Sequence, residues 1–289
     1  MLDTRNEIYH QKTAEIGVSI IGDTHAFQTQ PSQVSSNADL LDSYAAQEKP
    51  KILGISEETF DNITKFAAEV AGTAILLFVG CASCVTGLDV DPPPMLTPLS
   101  FGFIVTAIIT IFGHISGAHL NPSVTILALI LRMISPWMAL FYVIAQVVGA
   151  IVGYGFLVAI TPAEVFAKED ALCTTTVHEK LSIGEAFLTE FLITSVLIFT
   201  VCGVWDPRTT KLQDSSAIRV GFVVAVLSIA GGPYTGASMN PARSLAPAIY
   251  TGVFDDQWIY WVAPPLAAIC TAYLYKFVFW REDTERKNV

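Results

Sequence analysis

Two short stretches of this chain are near copies of one another, and both interrupt apolar sequence. The first runs Ser116-Gly117-Ala118-His119-Leu120-Asn121-Pro122-Ser123. The second runs Thr235-Gly236-Ala237-Ser238-Met239-Asn240-Pro241-Ala242, followed by Arg243. Asn followed by Pro reads as a helix start: Asn caps, and Pro takes the first helical position, where a missing N–H costs nothing. Each copy is expected to be an irregular approach leading into a short helix that begins at membrane depth. Irregular backbone is tolerated there only where it is buried in protein or lines a watery cavity.

The surrounding chain supplies the membrane. Of 289 residues, 52% are hydrophobic and only 15% charged, whereas soluble domains carry about 25% charged residues. The net charge of −10, with no basic stripe, argues against nucleic acid as a partner. Six apolar runs lie at roughly residues 64–88, 98–116, 137–160, 183–205, 217–234 and 258–280, each near the ~20 residues that span hydrocarbon. The continuations Val124–Leu131 and Ser244–Ile249 are too short to span and read as half-helices. The expected class is therefore an all-α membrane protein of six transmembrane helices and two half-helices. Cys81, Cys84, Cys202 and Cys270 read as small apolar residues and Cys173 as a lone loop thiol, with no disulfide framework and no metal site. No cofactor is implied, and no buried nucleophile sits with a base as an enzyme would need.

The repeat gives the organisation. Residues 1–62 read as a mobile cytoplasmic tail, 63–160 as a first channel repeat, 161–182 as an extracellular connecting loop, 183–280 as a second repeat and 281–289 as a cytoplasmic tail. Three spans plus a half-helix, repeated, must insert in opposite directions, which places a shared site near the midplane. Glu69 and Glu190 precede their asparagines by nearly equal distances, and Gly102 and Gly221 by the same distance. Lysines and arginines outside the motifs fall almost entirely on the side of the two termini, which makes that side cytoplasmic.

These motifs, with Gly113-His114-Ile115 leading into the first and Arg243-Ser244 ending the second, closely resemble the aquaporins, or major intrinsic proteins, over about residues 60–280. The resemblance implies a plasma-membrane homotetramer with a pore in each subunit, passing water and small neutral solutes such as glycerol and urea across the lipid bilayer while excluding protons and ions. It implies pore motifs Asn121-Pro122-Ser123 and Asn240-Pro241-Ala242, with asparagine N–H groups facing the lumen. The backbone of Gly117, Ala118, His119, Gly236, Ala237 and Ser238 would line the rest. Glu69 and Glu190 would hold the two loops, and His119 is either a structural imidazole or a gate.

Carried over position by position, the selectivity filter falls on Phe101, Ser228, Ala237 and Arg243. Strictly water-selective members have His where this chain has Ser228, so the filter is expected to be wide, with an apolar Phe101 wall opposite Arg243, as in the glycerol-permeable insect branch. Ser244, in place of the Asp of glycerol facilitators, and Tyr260-Trp261 instead match water channels. The alternatives are a strict water channel and a junctional membrane protein of low permeability.

Overall fold

Side-chain caps set where most of the membrane helices begin. In the computed structural model, which describes residues 54–88, 93–167 and 171–281, Ser56 Oγ accepts from Thr59 N, Ser135 Oγ from Met138 N, and Ser182 Oγ from Glu185 N. They open α1 (Glu57–Ala82), α4 (Pro136–Ile160) and α6 (Ile183–Trp205). Asn121 and Asn240 open the half-helices α3 (Pro122–Ile130) and α8 (Pro241–Thr251), each with Pro at the start. The remaining elements are α2 (Leu96–Ser116), the short α5 (Ala163–Phe166), a 3₁₀ segment (Pro207–Ser215), α7 (Ser216–Thr235), α9 (Gln257–Leu274) and a closing π turn (Tyr275–Phe279). All regular helix- or strand-type structure among the described residues is helical apart from one isolated bridge residue. Six helical stretches are long and apolar enough to cross a membrane.

One expectation shifts. Helix α1 starts at Glu57, so residues 57–62, expected in the tail, form its first turns; hydropathy misses a polar first turn that a serine cap and two early glutamates stabilise. The rest of the expected N-terminal tail up to residue 53, and residues 282–289, lie outside the described residues.

The packing repeats as the duplication requires. Helix α1 packs on α2 and α4, as α6 packs on α7 and α9. Half-helix α8 lies against α4, and α3 against α9, so each half-helix is seated on the last helix of the other repeat. Helices α2 and α7 cross at the centre. A Cβ on Gly102 would lie 2.6 Å from both Ala225 Cβ and Gly221 O, and one on Gly221 would strike Gly102 O and Thr106 Oγ1. At one end of the bundle, Arg208 makes a forked contact to Asp206, through Nε to Oδ1 and Nη2 to Oδ2, both 2.7 Å. That hydrogen bonding holds the Asp206 carboxyl below its ordinary range. Overpacking of this kind costs about 1–3 kcal/mol, so Gly102→Ala should lower the midpoint of thermal unfolding in detergent, and an unchanged midpoint would show that the crossing relaxes freely.

Candidate functional site

The two duplicated loops are built by the same set of bonds. In the first, Glu69 Oε1 accepts from Ser116 Oγ (2.7 Å) and His119 N (2.9 Å), and Oε2 accepts from Leu120 N (2.8 Å) and Gln146 Nε2 (2.9 Å). In the second, Glu190 Oε1 accepts from Thr235 Oγ1 (2.6 Å) and Ser238 N (2.8 Å), and Oε2 from Met239 N (2.9 Å). Both acids are fully buried. The loops need such support because their backbone is costly. Ala118, Leu120, Ala237 and Met239 have φ of 47°, 56°, 48° and 54°, and Gly117 and Gly236 have 86° and 75°. A non-glycine residue there costs about 1–3 kcal/mol and persists only where its surroundings fix it. Tyr142 Oη donates to Ser116 O and Tyr260 Oη to Thr235 O, a further matched pair.

The loops meet at their asparagines. Asn121 Oδ1 accepts from Ser123 N, and Asn240 Oδ1 from Ala242 N and Arg243 N. Asn121 Nδ2 donates to Met239 O and Asn240 Nδ2 donates to Leu120 O, both at 2.8 Å. Each amide NH₂ has two protons, so the expectation that these donors face the lumen needs amending: one proton of each is spent clasping the other loop and one remains. Ser123 Oγ is buried without a hydrogen-bond partner.

A cavity of about 1090 Å³ runs past this junction. Its lining includes all four expected filter residues, Phe101, Ser228, Ala237 and Arg243, both asparagines, and Gly117, Ala118, His119, Gly236 and Ser238. It extends from Met95 and Thr174 at one end to Trp205 and Asp214 at the other. Pro122, Ser123, Pro241 and Ala242 are buried behind it, in the first turns of the half-helices. Arg243 Nη1 donates to Cys173 O (2.7 Å) and Nη2 to Cys173 Sγ (3.5 Å), leaving three of the five guanidinium protons. Its Cζ lies over the Phe101 ring, 5.0 Å from the centroid. That separation leaves no room for water between them, so Phe101 and Arg243 are stacked neighbours and not walls facing across the lumen.

His119 is held in place. Gln146 Nε2 donates to Thr125 Oγ1 (2.9 Å), and Thr125 Oγ1 lies 3.2 Å from His119 Nδ1. The buried Thr125 hydroxyl needs an acceptor, and donor counting assigns that role to Nδ1, which puts the proton of the neutral ring on Nε2. The ring packs between Tyr142 and Trp205 at 5.0 and 5.4 Å.

Residues 56–275 match the family model of the major intrinsic proteins. The chain belongs to that family, the aquaporins. It is a family of membrane channels and not of enzymes. Aquaporin-4 of Mus musculus is 41% identical over 217 residues, 74% of this chain; the match spans 66% of that relative, just under two thirds of its length. Aquaporin-2 of Homo sapiens is 36% identical over 211 residues, 73% of this chain and 77% of that protein. The crystal structure of the aquaglyceroporin from Plasmodium falciparum has the same fold, with a TM-score of 0.62 at 24% identity over 75% of this chain and 96% of that one.

Within this aquaporin fold, a further sequence reading is overturned: Cys173 is not a lone thiol and Cys81 not a free apolar residue, because the two form a disulfide. The signal was the placement of Cys81 at the end of the first span and Cys173 in the connecting loop, on the same side of the bilayer. Local spacing, which pairs Cys81 with Cys84, hides it. Tyr142, Gln146 and Thr125 were also missed, and Tyr260 was read as a water-channel mark without its role in the loop, although aligning the third and sixth spans would have paired Tyr142 with Tyr260. An unsatisfied buried donor costs about 1–3 kcal/mol. Glu190→Leu strands three donors and should sharply lower the yield and thermal midpoint of folded protein, whereas Ser123→Ala removes an unpartnered hydroxyl and should leave the midpoint unchanged or raise it. Equal effects in the two variants would refute this account of the loops.

Proposed function

We propose that this aquaporin is a passive channel for water and small neutral solutes, glycerol and urea among them, that excludes protons and ions. The observation that carries the solute range is the lining of the constriction. Ser228 lines the cavity from helix α7 and its hydroxyl makes no hydrogen bond to the protein among the described residues, so a small hydroxyl stands where an imidazole would close the passage. The Phe101 ring and the three remaining Arg243 protons lie side by side, giving a perimeter part apolar and part donor. A polyol, with carbons on one side and hydroxyls on the other, suits that perimeter. The two features that resemble strict water channels act elsewhere. Ser244 is fully buried in a hydroxyl chain, accepting from Thr175 Oγ1 (2.7 Å) and sharing a 2.5 Å hydrogen bond with Ser238 Oγ. Tyr260 supports the second loop through Thr235 O. Neither they nor Trp261 are among the residues lining the cavity.

Ion exclusion follows from the junction. The N-termini of α3 and α8 meet at the asparagine pair, each a positive dipole end, and the remaining amide protons offer donors to a water oxygen. Together with Arg243 they oppose cations and interrupt a proton wire. We read the subunit as part of a plasma-membrane homotetramer with both termini cytoplasmic. The cavity lies within one chain, consistent with a pore per subunit. The disulfide joins the last turn of α1 to the connecting loop, at the end of the bundle opposite the first turn of α1, consistent with that end facing the oxidising exterior.

Stopped-flow shrinkage of proteoliposomes in sucrose and glycerol gradients tests this. Wild type should pass both water and glycerol, and Ser228→His should cut glycerol permeability about tenfold or more while retaining water. A wild type that passes water alone would make this a strict water channel, and one that passes neither would make it a structural membrane protein.

A further inference from the structure

We propose that the Cys81–Cys173 disulfide is a filter-positioning bond: it ties the segment that anchors Arg243 to the helix that backs Phe101, and so sets the ratio in which the channel passes glycerol and water. The inference rests on the solute reading above.

The geometry on each side of the bond is specific. Among the described residues, both hydrogen bonds of the Arg243 guanidinium go to Cys173, to the carbonyl through Nη1 and to the sulfur through Nη2. Cys173 sits at φ 56°, a left-handed conformation that a non-glycine residue keeps only when held. Its neighbours are held by hydrogen bonds, Leu172 O from Tyr154 Oη (2.7 Å) and Thr175 Oγ1 to Ser244 Oγ (2.7 Å). The disulfide is the covalent hold on Cys173 itself. On the other side, Cys81 is fully buried in α1 and belongs to the same apolar cluster as Phe101. The residue before it, Gly80, is where the Phe101 ring rests: a Cβ there would lie 2.5 Å from Phe101 Cε1. One covalent bond thus spans from the surface under the phenyl ring to the anchor of the guanidinium stacked on it. Cutting it frees the anchor, and the charged head then swings into the lumen, where it obstructs a polyol more than a water molecule.

Cys173 lines the cavity, so a small dithiol can reach the bond. Reduction breaks the S–S bond with two electrons from the reagent, the two cysteines take up its two protons, and the reagent closes its own disulfide. The test uses the full chain in proteoliposomes, as wild type before and after dithiothreitol, as wild type reoxidised with a diazene (which takes the two electrons and two protons back), and as Cys81→Ser. Water and glycerol permeabilities are measured together, with intact-mass thiol counting to verify each state. Reduction should lower glycerol permeability about tenfold, the size expected on losing a hydrogen bond to a charged group, and water by less than about threefold; reoxidation should restore both. A merely structural bond would reduce the number of working channels and scale the two rates together. An unchanged or increased glycerol-to-water ratio with the bond demonstrably cut overturns the proposal. Should Cys81→Ser fail to fold, the reduced wild type, folded with its bond intact, still decides. Should oxidised wild type pass no glycerol, the solute reading fails on its own; a reversible fall in water permeability with a raised activation energy, the mark of an obstructed lumen, would then support the tether, and a fall at unchanged activation energy, or no fall, would overturn it.

Discussion

Two buried carboxyl groups hold this structure's functional centre together. Each loop holds three of its residues in left-handed backbone, and each leaves backbone N–H groups that no helix or strand can satisfy. Glu69 and Glu190 accept those protons from inside helices that are otherwise apolar. The arrangement answers two needs at once, because a buried acid without donors and a strained loop without acceptors would each be untenable in hydrocarbon surroundings. The asparagine clasp then fixes one loop against the other, so the midplane geometry depends on both carboxyl groups together.

The repeats are alike in this scaffold and differ where chemistry differs. Glu69 receives a fourth hydrogen bond from Gln146, which also positions Thr125 and through it His119. The second repeat has no such amide; its support comes from the Thr175, Ser244 and Ser238 hydroxyls. One end of the lumen thus carries an oriented imidazole and the other an arginine. Ser244 departs from the glycerol-facilitator pattern without touching the lumen, and this is why a motif difference there says little about the width of the passage.

The cavity lining shows how residues expected together can meet in an arrangement other than the expected one. Phe101 and Arg243 both line the cavity, but they stack on one another instead of facing across it. The arginine is held by a cysteine that linear spacing assigned to no partner. Its charge, its remaining donors and the phenyl face act as one surface, whose position depends on a loop between the two repeats.

The sequence by itself determined the six spans, the two half-helices with their Asn caps and Pro starts, and the pairing of Glu69 with Glu190. Hydropathy, capping and duplication are local or periodic signals that a linear chain carries openly. The polar first turn of α1 escaped because a hydropathy window registers only apolar residues. Tertiary structure alone decided that Asn121 and Asn240 each give one proton to the opposite loop, that Phe101 stacks on Arg243, and that Cys173 finds Cys81 across 92 residues. Each of those is a contact between segments distant in the chain, set by how helices cross and loops descend, and no local pattern of residues encodes the distance between them.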